Sequence, residues 1–244
     1  MSMALKVSVI LPAAGLGTRM GRSSPEKFGT SRKQFMLLEG SPILLHTIRR
    51  FVACASVTEI VVALRQDDFE WASELVAGEN FSKPVRLVEG GDSRQQSVEN
   101  ALAAIGPDTD LVAVHDAVRP FIDIDTIERT IAEAATNGAA IVAIVPVDTV
   151  KQVHLNKIRA TIPRERLALA QTPQVFRLDL LKRAFEKARE DGFLGTDESS
   201  LVERLDAEVH VVPGSDRNIK ITKPSDMELA RLFLADEAAS RVGA

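Results

Sequence analysis

The feature that most constrains this chain is a rhythm. Short β-branched apolar runs alternate with amphipathic helical stretches along most of its length. Residues 7–11, 59–64, 85–88, 111–114 and 139–147 are brief runs bounded by turn-forming or charged residues, as buried strands are. Between them lie helical patterns. Ser41-Pro42 offers a cap residue and a proline to open a helix whose apolar face occupies 43–51. Ser93-Arg-Gln-Gln96 has the spacing of a capping box, followed by Val98, Ala101, Leu102 and Ile105 on one stripe. Asp125 precedes Ile127, Ile131 and Ala134. Leu180, Leu181, Ala184, Phe185 and Ala188 form another stripe, which Gly192 stops. Such alternation predicts an α/β fold: a mostly parallel sheet with helices on both faces.

One segment breaks the rhythm. Over residues 148–174, Val150, Val153, Ile158 and Ile162 are set among polar residues, with a turn-like Leu155-Asn156-Lys157. This reads as an extended hairpin or arm, and an arm needs a surface to pack on, most simply a second copy of the chain. No internal repeat or low-complexity linker divides the sequence, so 1–244 is read as one domain carrying that arm.

Charge and cysteine content narrow the setting. Thirty basic against 34 acidic residues give a net charge of −4, which supplies no general attraction to nucleic acid. The longest apolar run has nine residues (139–147), against ~20 needed to span a bilayer, and residues 1–6 have no apolar stretch of signal-peptide length. Cys54 is the single cysteine, so no internal disulfide forms and a reducing cytoplasm suits the chain. The expectation is a cytoplasmic protein with neither a nucleic-acid nor a membrane partner.

The residues that carry chemistry gather where strands end. Directly after the first run comes Leu11-Pro-Ala-Ala-Gly-Leu-Gly-Thr-Arg-Met-Gly21. Its small residues let backbone N–H groups approach a phosphate, and Arg19 adds a planar cationic fork. The spacing fits neither the dinucleotide fingerprint nor a P-loop, and the glycines alone would equally serve a tight strand-to-helix turn. Lys33 follows in Ser31-Arg-Lys-Gln-Phe35. Gly90-Gly91-Asp92-Ser93-Arg94 follows the third run, where it could read a nucleoside or simply form a turn and cap. His115-Asp116-Ala117-Val118-Arg119-Pro120 follows the fourth. An acidic residue there could hold Mg²⁺, or Asp116 and Arg119 could pair with each other. Lys220 alternates off the apolar Ile219 and Ile221. His46, His154, His210 and Cys54 show no ligand spacing and read as structural. No Gly-x-Ser-x-Gly or His-Glu-x-x-His is present.

Taken in order, seven segments carry a resemblance: Pro-Ala-Ala-Gly-Leu-Gly-Thr-Arg-Met (12–20), Lys-Gln-Phe (33–35), Gly-Gly-Asp-Ser-Arg (90–94), His-Asp-Ala-Val-Arg-Pro (115–120), Thr-Pro-Gln (172–174), Thr-Asp-Glu (196–198) and Asn-Ile-Lys-Ile-Thr (218–222). Nearly end to end, the chain resembles the 2-C-methyl-D-erythritol 4-phosphate cytidylyltransferases of the non-mevalonate isoprenoid pathway. The resemblance implies a Rossmann-like fold of the nucleotide-diphospho-sugar transferase type with a projecting β-arm. It also implies Mg²⁺-dependent conversion of CTP and methylerythritol phosphate to the cytidine diphospho product and pyrophosphate. It implies a homodimer through 148–174 in which the arm contributes to the partner's site.

By the same resemblance Arg19, Lys33, Arg164 and Lys220 are catalytic, and Ala13, Ala14, Gly15, Gly17, Gly91, Asp92, Ser97 and Ala117 hold the nucleotide. Asp116, Arg119, Thr149, Thr172 and Thr196 handle the acceptor, with Thr149, Arg164 and Thr172 on the arm and Asp116 also beside the metal. One departure stands out. The family usually has a proline before the lysine; here that place is Arg32, the preceding loop is longer, and Lys27 is a second lysine. Rival readings are a nucleotidyltransferase for ribitol 5-phosphate or a sugar 1-phosphate, and a non-catalytic nucleotide sensor.

Overall fold

The computed structural model describes residues 5–15 and 32–242. The sequence expectations for Gly17 and Arg19 lie outside the described residues. A seven-stranded sheet runs through the centre in the order β11-β7-β10-β6-β1-β4-β5. Its strands are β1 (Val7–Pro12), β4 (Val57–Leu64), β5 (Val85–Glu89), β6 (Leu111–Val114), β7 (Ala139–Ile144), β10 (Leu169–Arg177) and β11 (His210–Pro213). β1 pairs in parallel with β4 and β6, β4 with β5, and β11 with β7. β10 alone runs antiparallel, between β6 and β7. β2 (Leu37–Leu38) and β3 (Ser41–Pro42) form a separate short ladder.

Alternation along β1 sorts its side chains onto two faces. Val7, Val9 and Leu11 join a core with α1 (Ile43–Ala53), α2 (Phe69–Ala77) and α4 (Ile124–Asn137). Ile10 joins the opposite core with α3 (Arg94–Ala103), α5 (Leu178–Glu190) and α6 (Glu198–Glu203). All four are fully buried, and truncating Ile10 to alanine should cost about 2–5 kcal/mol. A third, smaller core seats α7 (Pro224–Val242), through Met227 and Ala230, on Val118, Phe121 and Ile221. None of the described helices is long and apolar enough to cross a membrane.

Helix ends differ from the sequence expectation by a residue or two. Ser93 Oγ accepts from Gln96 N (3.0 Å) as the spacing predicts, but Gln96 Oε1 accepts from Asp92 N rather than closing a full box. α4 is capped by Asp123, not Asp125. Pro42 sits at the cap position of α1 and Ser41 belongs to β3, where its hydroxyl accepts from Arg49. The run 139–147 leaves the sheet at Ile144, and Val145 and Val147 are exposed.

β8 (Val150–His154) and β9 (Lys157–Ile162) form an isolated antiparallel hairpin. Leu155 and Asn156 adopt φ of +48° and +60° at its tip. The expected 148–174 segment does not all lie in this arm, because its last part belongs to β10 in the central sheet. Polarity hid that strand. Gln171, Thr172 and Gln174 are buried, each with hydrogen-bond partners inside the protein.

Candidate active site

Every parallel strand of the sheet's central part ends on the same side, so the loops after β1, β4, β5 and β6 meet there. Ala13 follows β1 and donates its N–H to Ala63 O at 2.8 Å. Gly90 follows β5 and donates to Leu64 O at 2.7 Å. The loops approach so closely that a Cβ on Gly90 would lie 2.6 Å from that of Ala14, so glycine is required there. Ser97 is buried, accepts from Gly91 N and donates to Ser93 O at 2.8 Å, which fixes the curve of this loop.

Lys33-Gln34-Phe35 is one 3₁₀ turn docked on the same cradle. Gln34 Nε2 donates to the carbonyls of Ala13 (2.6 Å) and Gly15 (3.2 Å). Phe35 is buried against Trp71, with ring centroids 4.5 Å apart. Arg32, at the position of the departure, pairs with the buried carboxylate of Asp68. The turn is therefore anchored on both sides of Lys33.

A cavity of about 430 Å³ opens between these loops. Ala13, Ala14, Gly15, Lys33, Gly91, Asp92, Ser97, Asp116, Ala117 and Lys220 all line it. A second hollow of about 250 Å³ adjoins it, lined by Asp116, Arg119, Thr172, Thr196 and Lys220 among others. Thr172 thus sits in β10 beside its own chain's cavity, not on the arm. Thr149 and Arg164 line neither hollow. Both are exposed, and the Arg164 guanidinium donates to Val147 O.

Asp116 stands at the junction of the two hollows and is 6% exposed. Lys220 Nζ lies 2.8 Å from its Oδ2, Arg119 Nε 3.3 Å from Oδ2, and Arg94 Nε 3.3 Å from Oδ1. Burial would raise this carboxyl, but Lys220, Arg94 and Arg119 outweigh it and hold it far below the usual carboxylate range. Of the two alternatives left open by sequence, the structure shows the pairing: Asp116 pairs with Arg119, and with two further cations. A direct Mg²⁺ ligand does not fit this carboxylate, since a dication would enter a shell of three positive groups. Among the described residues, no group of three His, Cys, Asp or Glu gathers to hold a metal.

Backbone groups brace the centre. Thr172 Oγ1 accepts from Asp116 N (3.1 Å), and Asn218 Nδ2 donates to Thr172 O (2.9 Å). Arg119 NH1 donates to Asn218 O at 2.7 Å. His115 donates Nε2–H to Arg119 O (3.0 Å), and a carbonyl partner fixes that tautomer. Burial pushes the His115 pKa down to about 4, so the ring is neutral at physiological pH. Cys54 is buried against Glu128, its thiol pushed up to about 12 by burial and that carboxylate, and it is no nucleophile.

Sequence reasoning passed over Arg65, Arg94 and Glu198 as site residues. Arg65 carries no motif, only its place after β4, and it lines the larger cavity. Arg94 ends the Gly-Gly-Asp-Ser-Arg segment and lines both hollows. Glu198 ends Thr-Asp-Glu, and its partner is 104 residues away.

A family model described as "IspD: 2-C-methyl-D-erythritol 4-phosphate cytidylyltransferase" matches residues 7–236. The chain belongs to this family. A protein of Solibacter usitatus (strain Ellin6076) bearing that enzyme name is 67% identical over 240 residues, spanning 96% of this chain and 98% of its own. One of Acidobacterium capsulatum with the same name is 52% identical, over 96% and 100% of the two chains. The crystal structure of 4-diphosphocytidyl-2C-methyl-D-erythritol synthase from Anaerococcus prevotii superposes with a TM-score of 0.82 at 30% identity, covering 95% of this chain and 99% of that one. The chain is accordingly a nucleotidyltransferase of isoprenoid biosynthesis. It converts CTP and 2-C-methyl-D-erythritol 4-phosphate to 4-CDP-2-C-methyl-D-erythritol.

Proposed function

We propose that this cytidylyltransferase works by direct in-line attack of the acceptor phosphate on the α-phosphorus of CTP. A bond forms from an acceptor phosphate oxygen to that phosphorus, and the bond to the bridging oxygen breaks as pyrophosphate leaves. The observation that carries this reading is that Lys220 and Asp116 line both hollows. In the reading, CTP occupies the larger one, with Ala13, Ala14, Gly15, Gly91, Asp92, Ser97 and Ala117 around it. The acceptor occupies the smaller, held by Arg119, Thr172 and Thr196.

CTP brings about four negative charges and the acceptor phosphate about two, so the barrier is mostly electrostatic. Arg19, Lys33 and Lys220 offset that repulsion where water is partly excluded. Asp116 orients Lys220 and Arg119. Mg²⁺ is proposed to enter on the triphosphate oxygens, which are hard ligands, and not on Asp116.

The arm is proposed to make a homodimer. Val153, Leu155 and Ile158 on the hairpin, with Val145, Val147 and Leu169 at its base, are each more than half exposed in the single chain. A lone two-stranded hairpin is marginal in water. Thr149 and Arg164, which line neither hollow of their own chain, would then complete the partner's acceptor site. The single buried cysteine favours a cytoplasmic setting.

Pyrophosphate release from CTP with a panel of acceptor phosphates tests the reading. Methylerythritol phosphate should be used at least about 100-fold better, in kcat/KM, than ribitol 5-phosphate or a sugar 1-phosphate. Equal use of ribitol 5-phosphate would defeat the acceptor assignment.

A further inference from the structure

Arg94 is the first residue of α3, immediately after the nucleotide loop, yet its side chain turns toward the reaction centre. Its NH1 lies 2.7 Å from Glu198 Oε1 while its Nε lies 3.3 Å from Asp116 Oδ1. Glu198 begins α6 and is 1% exposed. Its second oxygen, Oε2, has no hydrogen-bond partner among the described residues. A carboxylate is rarely buried so deeply merely for stability, because desolvation opposes its charge and an apolar side chain would pack there at lower cost. Burial indeed pushes the Glu198 pKa up, and Arg94 only partly offsets that.

The arrangement has a consequence for Lys220. With Oδ1 committed to Arg94, Asp116 presents only Oδ2 to Lys220 and Arg119. A carboxylate free to turn would chelate Lys220 with both oxygens and neutralise the charge intended for the phosphates. Holding two carboxylates at a fixed mutual angle calls for the planar fork of an arginine; a lysine is a point charge.

We propose that Arg94 and Glu198 form a positioning pair for the transfer: Glu198 fixes the guanidinium, Arg94 fixes Asp116, and Asp116 thereby holds Lys220 at the junction of the two hollows. The pair also ties the nucleotide loop before α3 to the acceptor-side loop before α6. This inference rests on the reading that Lys220 acts on the reacting phosphates.

The test is a double-mutant cycle on the full chain. Arg94→Gln with Glu198→Gln removes both charges together, so neither is stranded in the interior. Thermal melting and calorimetric CTP binding establish that the variant is folded. The expected result is a fall in kcat of about 30-fold with CTP affinity within about threefold, and a further loss under about threefold when the pair is changed in a Lys220→Ala background. Equal losses in both backgrounds would make the pair a structural element only and overturn the proposal, as would an undiminished kcat. If the paired variant does not fold, Glu198→Gln alone, which keeps a hydrogen-bond acceptor, should lose about fivefold in the native background and nothing in Lys220→Ala. The Lys220→Ala enzyme by itself checks the underlying reading: near-native kcat there defeats the role of Lys220, and the pair's role with it.

Discussion

The cluster around Asp116 and the β8–β9 hairpin are opposites in one respect. At Asp116, groups drawn from four distant stretches of one chain satisfy one another: Arg94, Arg119, Glu198 and Lys220 are all within the same molecule. On the hairpin, the apolar side chains of Val153, Leu155 and Ile158 face solvent, 56%, 79% and 66% exposed. The first region completes its ion pairs within one chain, though Glu198 Oε2 has no partner among the described residues; the second leaves every residue of β8 and β9 exposed except the half-buried Val150, Ala160 and Ile162. The difference teaches that one chain assembles both hollows and the cluster between them, whereas the residues expected from the arm, Thr149 and Arg164, line neither. On the proposed reading, a site divided in this way needs two chains.

Lys220→Ala should strike the complete region hardest. A drop in kcat of about 10²–10³-fold is expected, with CTP binding by calorimetry nearly unchanged. Lost CTP affinity at constant kcat would instead place Lys220 on the nucleotide side. Lys33→Ala should cost about 10²-fold in kcat/KM, because Gln34 and Phe35 hold its turn against the cradle, while Lys27→Ala stays within about threefold. The reverse pattern would show that the longer loop has moved the working lysine.

Ile158→Asp attacks the incomplete region. Sedimentation should show a monomer at micromolar concentration, and activity should fall about tenfold while the melting temperature changes little, since the side chain is exposed in the single chain. Full activity from that monomer would mean the arm supplies nothing to catalysis. The smallest effect concerns His115 beside Asp116. Its pKa falls from 6.5 to about 4 on folding, so the folded state binds fewer protons than the unfolded one between those values. The associated stability is whole above pH 6.5 and lost as pH falls toward 4, at most about 3 kcal/mol. Asp116, held below its unfolded value, adds a separate loss only below about pH 4. His115→Gln should flatten melting temperature against pH between 6.5 and 4 relative to the native chain. An unchanged slope would assign that titration elsewhere.

What the sequence disclosed follows from which forces act locally. β1, β4 and β6 were legible because buried parallel strands need β-branched side chains on both faces, and Val9, Ile10 and Val61 supply them. β10 was not, because Gln171, Thr172 and Gln174 are buried through long-range hydrogen bonds that polarity alone cannot announce. The strand-end loops were likewise visible, since small residues and a lysine at such places suit phosphates. Arg65 and the Arg94–Glu198 pair were not, for their meaning depends on neighbours that only folding brings near. The hairpin is legible in its turn and alternation, but its end is not, because the chain re-enters the sheet at Leu169 through a polar strand.

The division of the site is tested most directly by mixing two inactive proteins. Arg164→Ala lacks the arm's cation and Lys220→Ala lacks the centre's. If Arg164 serves the opposite subunit, a heterodimer has one site missing both groups and one site missing neither. Purified heterodimers should then recover up to about half the activity of a native dimer, provided the two sites act independently. Heterodimers as inactive as both parents would contradict the account, because each site would then be using the Arg164 of its own chain.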